Sequence, residues 1–227
     1  MSIKPISVLL AEDHAIVREG FRSLLKHEKD IEVIGEAESG REAVAMVKKH
    51  RPAVVVMDIA MPLLNGLEAT RQIRKDFPDT KVLILSAHSH AAFVKQVTDL
   101  GAAGFLLKHT SSAVLATAIR EVDKGNTFYS PSISKRLYDR DQKSLDREGN
   151  SKKKNSCRSS REVEVLQLIA EGQANKQVAA ELGLSFKTVD KYRQSLMGKL
   201  NIHDIAGLTR YAIAEGIIES SVRVTIR

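Results

Sequence analysis

Five residues able to do chemistry each stand directly after a short apolar run. Glu12 and Asp13 follow the run at 8–11, Asp58 follows 54–57, Ser86 follows 82–85 and Lys108 follows 104–107. Three carboxylates drawn together repel, and at least one keeps its proton unless a cation bridges them. Hard oxygen donors in that number suit Mg2+, which keeps several waters and takes one or two carboxylates plus phosphate oxygens. A carboxylate neutralised in this way is a competent phosphoryl acceptor, forming an aspartyl phosphate; Asp58 is the candidate. Ser86 can donate a hydrogen bond to one phosphoryl oxygen, and Lys108 can pair with another as a compact point charge. Ala87, beside Ser86, is small and leaves the approach open. Singly, each residue has a plainer reading: Asp58 as a turn residue, Asp13 as a helix cap, Lys108 as a solvated strand end. All five at the ends of strands in one sheet is a much less probable accident.

The elements that must position them are legible as an alternation. Apolar, β-rich runs lie at 8–11, 33–35, 54–57, 82–85 and 104–107. Between them run helical stripes: Val17, Phe21, Leu24 and Leu25; Ala43, Val44 and Val47; Leu67, Thr70, Ile73 and Phe77; Phe93, Val97 and Leu100. A last helix is expected over 112–124, with Ser111 as its cap and Gly125 as its stop. Five such units with short loops predict an α/β fold with a doubly wound, five-stranded parallel sheet. The flavodoxin-like strand order 2-1-3-4-5 sets the first strand beside the third, which would gather Glu12, Asp13 and Asp58 at the switch point where such sheets bind ligands.

Charge divides the chain unevenly. The net charge is +7, and 8 basic against 4 acidic residues fall within 126–156. A high pI invites a nucleic-acid reading, but a solvated linker explains the same charge more simply. The stretch "DRDQKSLDREGNSKKKNS" is polar and lacks aromatics, and with 126–156 it reads as a linker carrying at most a short helix near 133–138. The expected organisation is therefore 1–125, a linker at 126–156, and a second domain at 157–221. A single cysteine, Cys157, excludes an internal disulfide and points to a reducing compartment. The opening apolar run is broken by Glu12 and Asp13, and no run long enough to span a membrane exists, so a cytoplasmic protein without membrane contact is expected.

From Ser159 the pattern is helical only. Ser159 and Glu162 fit a capping box, followed by Val165, Leu166 and Ile169 and stopped at Gly172. Asn175 can cap a second helix with Val178, Ala179 and Leu182. After "GLS" a third carries Val189, Tyr192, Leu196 and Leu200 on one face, with Lys187, Asp190, Lys191, Gln194 and Ser195 on the other. A fourth begins near Asp204 and carries Leu208, Tyr211 and Ala212. Two helices across a three-residue turn match the helix-turn-helix plan, whose second helix lies in the major groove. Helix pattern alone leaves a protein-docking bundle nearly as good a reading.

The motifs themselves resemble a known family. Glu12-Asp13, "MDIAMPLLNG" around Asp58, "LSA" around Ser86 and "GFLLK" before Lys108 resemble a response-regulator receiver domain over residues 5–125. "SREVEVLQLIAEGQANKQVAAELGLSFKTVDKYRQSLMGKL" with "YAIAEGII" resembles the LuxR-type four-helix DNA-binding domain, and the pair resembles the NarL/FixJ class. The resemblance implies phosphorylation of Asp58 by a sensor histidine kinase. It implies Mg2+ held by Asp13, Asp58 and the Ala60 backbone carbonyl, with Glu12 acting through water. Ser86 and Phe105 would form the switch, and Phe105 lacks a hydroxyl, so its part must rest on packing. Ala60 and His88 occupy positions that in this family influence how long the phosphoryl group lasts. On the recognition helix the implied DNA-contacting set is Lys187, Thr188, Asp190, Lys191, Arg193, Gln194 and Lys199, and Leu208, Tyr211 and Ala212 would join a dimer contact. Three positions depart from the pattern: Arg158 for a common leucine, Asp190 for lysine and Tyr192 for histidine. Asp190 repels phosphate yet can accept from cytosine N4.

The expectation is a transcription regulator in which phosphorylation of Asp58 controls dimerisation and binding of a homodimer to promoter DNA, with no enzymatic turnover beyond its own phosphorylation and dephosphorylation. Two rivals are an aspartyl-nucleophile phosphatase and a protein adaptor. The first usually wants an acid two residues past the nucleophile, where Ala60 stands. The His88/His90 pair has no third ligand with a clear claim and reads as a loop or helix-start pair.

Overall fold

The computed structural model describes residues 4–87, 96–130, 133 and 159–218. It comprises two compact units, Met1–Lys152 and Lys153–Arg227. His88, His90, Phe93 and Arg158 lie outside the described residues, as does the helix expected near 133–138 except for Ile133, which is fully buried.

The first unit is a parallel sheet of β1 (Ile6–Ala11), β2 (Ile31–Ala37), β3 (Val54–Asp58), β4 (Lys81–Ser86), β5 (Gly104–Leu107) and β6 (Phe128–Tyr129), in the order β2-β1-β3-β4-β5-β6. The order is the expected one, but the sheet has six strands rather than five. The sixth is two residues long, and Phe128 and Tyr129 pair with Gly104 and Phe105. So short a strand carries no period of its own and reads as loop from sequence.

The strands are covered on both faces, as parallel strands must be. Alternate residues go to opposite sides. Leu9, Val55, Met57, Ile84 and Phe105 face a core completed by Ala43 and Val47 of α2 (Gly40–His50) and Leu67 and Ile73 of α3 (Gly66–Asp76). Val8, Leu10, Val54, Val56, Leu83 and Leu106 face the other core, completed by Phe21 and Leu25 of α1 (Ala15–Leu25) and Leu115, Ile119 and Val122 of α4 (Ser112–Asp123). All five residues of β3 are buried, so the strand ending on Asp58 is rigidly held. Ser111 precedes α4 as expected, though its side chain makes no capping hydrogen bond.

Gly66 sets how closely α3 follows β3. A Cβ there would stand 1.8 Å from the Asp58 carbonyl oxygen. Its N–H donates to the Ile59 carbonyl at 2.8 Å. Only glycine lets α3 start this close to the end of β3.

Among the described residues the second unit has four helices: α5 (Ser160–Ala170), α6 (Asn175–Leu182), α7 (Phe186–Leu200) and α8 (Ile205–Ala214). The Ser159/Glu162 capping box forms. Asn175 is not the cap of α6 but its first residue; Ala174 precedes it, and the Ala174 N–H donates to the Gln177 side chain at 2.8 Å. Gly183, at φ 63°, ends α6 in the left-handed conformation that favours glycine. Ser185 caps α7 by accepting from the Thr188 N–H at 3.1 Å, and Asp204 caps α8 by accepting from the Gly207 N–H at 2.7 Å.

Candidate functional site

The strand register brings the acidic residues together. β1 lies between β2 and β3, and Ala11 pairs with Met57, so Glu12 and Asp58 leave neighbouring strands at the same level. On the other side Asp58 pairs with Leu85, and Ser86 pairs with Leu107. The Lys108 N–H donates to the Ser86 carbonyl at 2.9 Å, which fixes where the lysine departs. Lys108 Nζ reaches Glu12 Oε2 at 2.7 Å and Asp58 Oδ2 at 3.0 Å. Glu12, Asp58 and Ser86 are all buried.

One ammonium cannot neutralise this group. Burial pushes the Asp58 carboxyl up to about 7, the Glu12 charge adds to the rise, Lys108 opposes it, and Asp13 raises it further. Burial alone would lower Lys108, but Asp58 and Glu12 outweigh it and raise its pKa. Among the described residues carboxylate charge thus exceeds the Lys108 charge, and the donors are carboxylate oxygens with the His14 imidazole beside Glu12 and Asp13. The carboxylate oxygens among them fit a hard dication. Ala60 stands two residues beyond Asp58 in the half-buried β3–α3 loop. Phe105 is fully buried in the core, in register with Ile84.

Two residues here escaped sequence reasoning. His14 Nδ1 lies 3.0 Å from Glu12 Oε1 and 2.8 Å from Asp13 Oδ1, and its N–H donates to Glu12 Oε1 at 3.1 Å. Arg18 is buried, donating from Nη1 to the Glu12 carbonyl at 2.7 Å, from Nη2 to Glu38 at 2.7 Å and from Nε to Glu36 at 3.1 Å. Its signal was spacing: Arg18 shares the inward face with Phe21 and Leu25 at helical intervals.

In the second unit Val189 and Leu196 turn inward as expected, whereas Tyr192 and Leu200 are only half-buried. Lys187, Lys191 and Gln194 are exposed. Three polar residues of α7 are turned to partners inside the unit. Asp190 accepts from Gln194 Nε2 at 2.8 Å and from Asn175 Nδ2 at 3.5 Å. Ser195 donates to Glu162 Oε1 at 2.9 Å. Lys199, expected at DNA, places Nζ 2.8 and 2.9 Å from the two Glu162 oxygens. Burial would raise the Glu162 carboxyl, but Lys199, the Ser159 N–H and the Ser195 hydroxyl outweigh it and hold it below the usual carboxylate range. Leu208 and Ala212, expected at a dimer contact, are fully buried within the unit, and Tyr211 is half-buried. The large apolar side chains that α8 leaves exposed are Ile205 and Ile213. No helix among the described residues is long and apolar enough to cross a membrane.

Residues 8–120 match the response regulator receiver domain family, and residues 159–212 match the bacterial regulatory proteins of the luxR family. The chain is similar to the oxygen regulatory protein NreC of Staphylococcus epidermidis, at 36% identity over 94% of this chain and 100% of that one. Among solved structures it resembles RcsB, described as two dimers bound to two parallel DNAs, at 28% identity and a TM-score of 0.56 over 92% of this chain and 98% of that one. It also resembles the isolated receiver domain of RcsB from Salmonella enterica serovar Typhimurium, solved in the presence of the phosphomimetic BeF3−, at 27% identity and a TM-score of 0.55 over 59% of this chain and 99% of that one.

Proposed function

The chain belongs to the two-component response regulators of the NarL/FixJ class, with a receiver domain and a LuxR-type DNA-binding domain, and from that premise we propose that Asp58 accepts a phosphoryl group from a sensor histidine kinase and thereby controls DNA binding. The observation that carries this is the Lys108 bridge to Asp58 and Glu12, at 3.0 and 2.7 Å, around a buried carboxylate with too few cations. An Asp58 oxygen forms the bond to phosphorus as the bond to the kinase histidine nitrogen breaks. Lys108 then transfers its ion pair from Asp58 to a phosphoryl oxygen, and Ser86 donates a hydrogen bond to another. Asp13, Asp58 and the Ala60 carbonyl would hold Mg2+, with Glu12 assisting through water. Bound there, the ion supplies positive charge that lets an anionic phosphoryl group approach a carboxylate.

The movement of Ser86 toward the phosphoryl group would open space that Phe105 fills by packing alone. In the second domain α7 would lie in the major groove, with Lys187 and Lys191 meeting phosphates and Thr188 and Arg193 beside them. Phosphorylation favours a homodimer on promoter DNA, through differential contacts in the two states. The RcsB complex, in which dimers bind DNA, supports this arrangement. If α8 supplies the dimer contact, Ile205 and Ile213 are the side chains available for it, because Leu208 and Ala212 already fill the domain's own core. The test is DNA affinity with and without a small-molecule phosphodonor and Mg2+, for the wild type and Asp58→Ala. Tighter binding is expected only in the wild type given both reagents, and equal affinities under all conditions would sink the switch.

A further inference from the structure

We propose that Phe186 reads a thymine in the target duplex through its 5-methyl group, an inference that rests on α7 being the helix that enters DNA. Phe186 is the first residue of α7, directly after the Ser185 cap. Side chains of a helix lean toward its N-terminus, so this ring stands ahead of the first turn. The N-terminal residues of a recognition helix are those that meet base edges.

The domain itself makes little use of the ring. Phe186 is 59% exposed. Among the described residues no other phenylalanine or tyrosine is exposed to this degree. A phenyl ring left in water forgoes most of the stabilisation its burial would bring to folding.

Several polar side chains along the first turns of α7 are engaged with one another or with α6. Ser185 Oγ accepts the Thr188 N–H at 3.1 Å and shares a hydrogen bond with Thr188 Oγ1 at 2.8 Å. Asp190 and Gln194 are joined at 2.8 Å, and Asn175 closes on Asp190 at 3.5 Å. That clamp withdraws the carboxylate expected to accept from cytosine. What the leading face offers instead is one apolar ring with the exposed ammonium groups of Lys187 and Lys191. Contacts of those cations to phosphates position the helix without reading sequence. The ring is the large apolar group this face offers to a base edge. The apolar feature of the major-groove edge is the thymine methyl, and phenylalanine is among the side chains that recognise it.

The experiment uses the full-length protein. Duplexes are first selected from a random pool by wild type, Phe186→Ala and Phe186→Leu. Each thymine of the wild-type site is then replaced in turn by deoxyuridine, which removes only the methyl. At one thymine per half-site the replacement should weaken wild-type binding about fourfold, the effect of exposing one methyl group to water. Phe186→Ala should lose a similar factor on the thymine duplex and nothing further on the uracil duplex, while Phe186→Leu keeps part of the preference. Phe186→Ala binding like the wild type, or losing the same factor on every duplex with the thymine preference intact, would overturn the proposal. Selection of no sequence by the wild type would overturn it too, and would separately defeat the DNA-binding reading. Phe186→Ala should melt with the wild type, because the ring is exposed.

Discussion

Asp58 in the receiver and Glu162 in the helical domain begin from the same physical position and end in opposite ones. Each is buried, at 3% and 4% exposure, and each has a lysine within ion-pair distance, Lys108 at 3.0 Å and Lys199 at 2.8 Å. Burial alone raises both. Yet Asp58 is pushed up to about 7 while Glu162 is held below its ordinary value. The difference is in the neighbours. Glu162 is surrounded by donors: Lys199, the Ser159 N–H at 2.9 Å and the Ser195 hydroxyl at 2.9 Å. Asp58 shares its one ammonium with Glu12 and feels Asp13 as well. A carboxylate with a full set of donors is a structural strut; one left short of positive charge is arranged to receive it from outside.

The largest effect should come from breaking the deficit. Asp58→Asn should abolish phosphoryl incorporation, read by mass spectrometry of the intact protein. The same change should stabilise the metal-free protein at pH 8. Asp58 is an acid whose pKa folding raises, so the folded state holds a proton that the unfolded chain has lost. Its contribution is fully present below 3.8 and is lost as pH rises through about 7. Above that window the ionised group costs on the order of 4 kcal/mol. Urea unfolding of the wild type and Asp58→Asn should therefore diverge between pH 4 and pH 8, and Mg2+ should restore part of the wild-type loss. Parallel curves at both pH values would mean that Lys108 suffices for Asp58.

Glu162 should behave in the opposite sense and less strongly. Its folded pKa lies below the unfolded 4.5, so its contribution is present above 4.5 and lost as pH falls through the lowered value. Glu162→Gln should destabilise the helical domain by about 2 kcal/mol at pH 7, with hydrogen bonds to a charged acceptor lost and a discount for the partly exposed Lys199. The difference should shrink at low pH. Hydrogen exchange at the amides of α5 and α7 reads it, since the Glu162 contacts join those two helices.

Sequence made the first of these carboxylates legible and hid the second. The strands that end at Ala11, Asp58 and Ser86 are apolar runs, so their ends could be read, and the flavodoxin-like order assumed for them is the one observed. β6 could not, because two residues show no alternation. Glu162 was visible as half of a capping box, a local pattern, but its bonds to Ser195 and Lys199 span 33 and 37 positions. No short-range pattern encodes them, and so Lys199 was read as facing DNA. The outward set on α7 was similarly right in exposure for Lys187 and Lys191 and incomplete for Asp190, whose partner Asn175 comes from another helix.

Arg18 offers the finest test of the contrast, because it works on the backbone rather than on the charge. Glu162 is positioned by its own capping box, whereas Glu12 is held through its carbonyl by Arg18 Nη1 at 2.7 Å. The same guanidinium reaches back to Glu36 at the end of the second strand and Glu38 just past it, tying the ends of β1 and β2 together. Arg18→Met keeps the length and apolar stem but removes the donors. It should cost about 1 kcal/mol of stability, one hydrogen bond to a buried carbonyl, since the pair with the largely exposed Glu38 adds little. The sharper readout is Mg2+ affinity by isothermal titration. If Arg18 sets where Glu12 and Asp13 leave β1, Arg18→Met should weaken Mg2+ binding severalfold while Arg18→Lys recovers part of it. Unchanged Mg2+ affinity beside the loss of stability would make Arg18 a structural tie between strands and leave the acidic site to hold its own geometry, as Glu162 does.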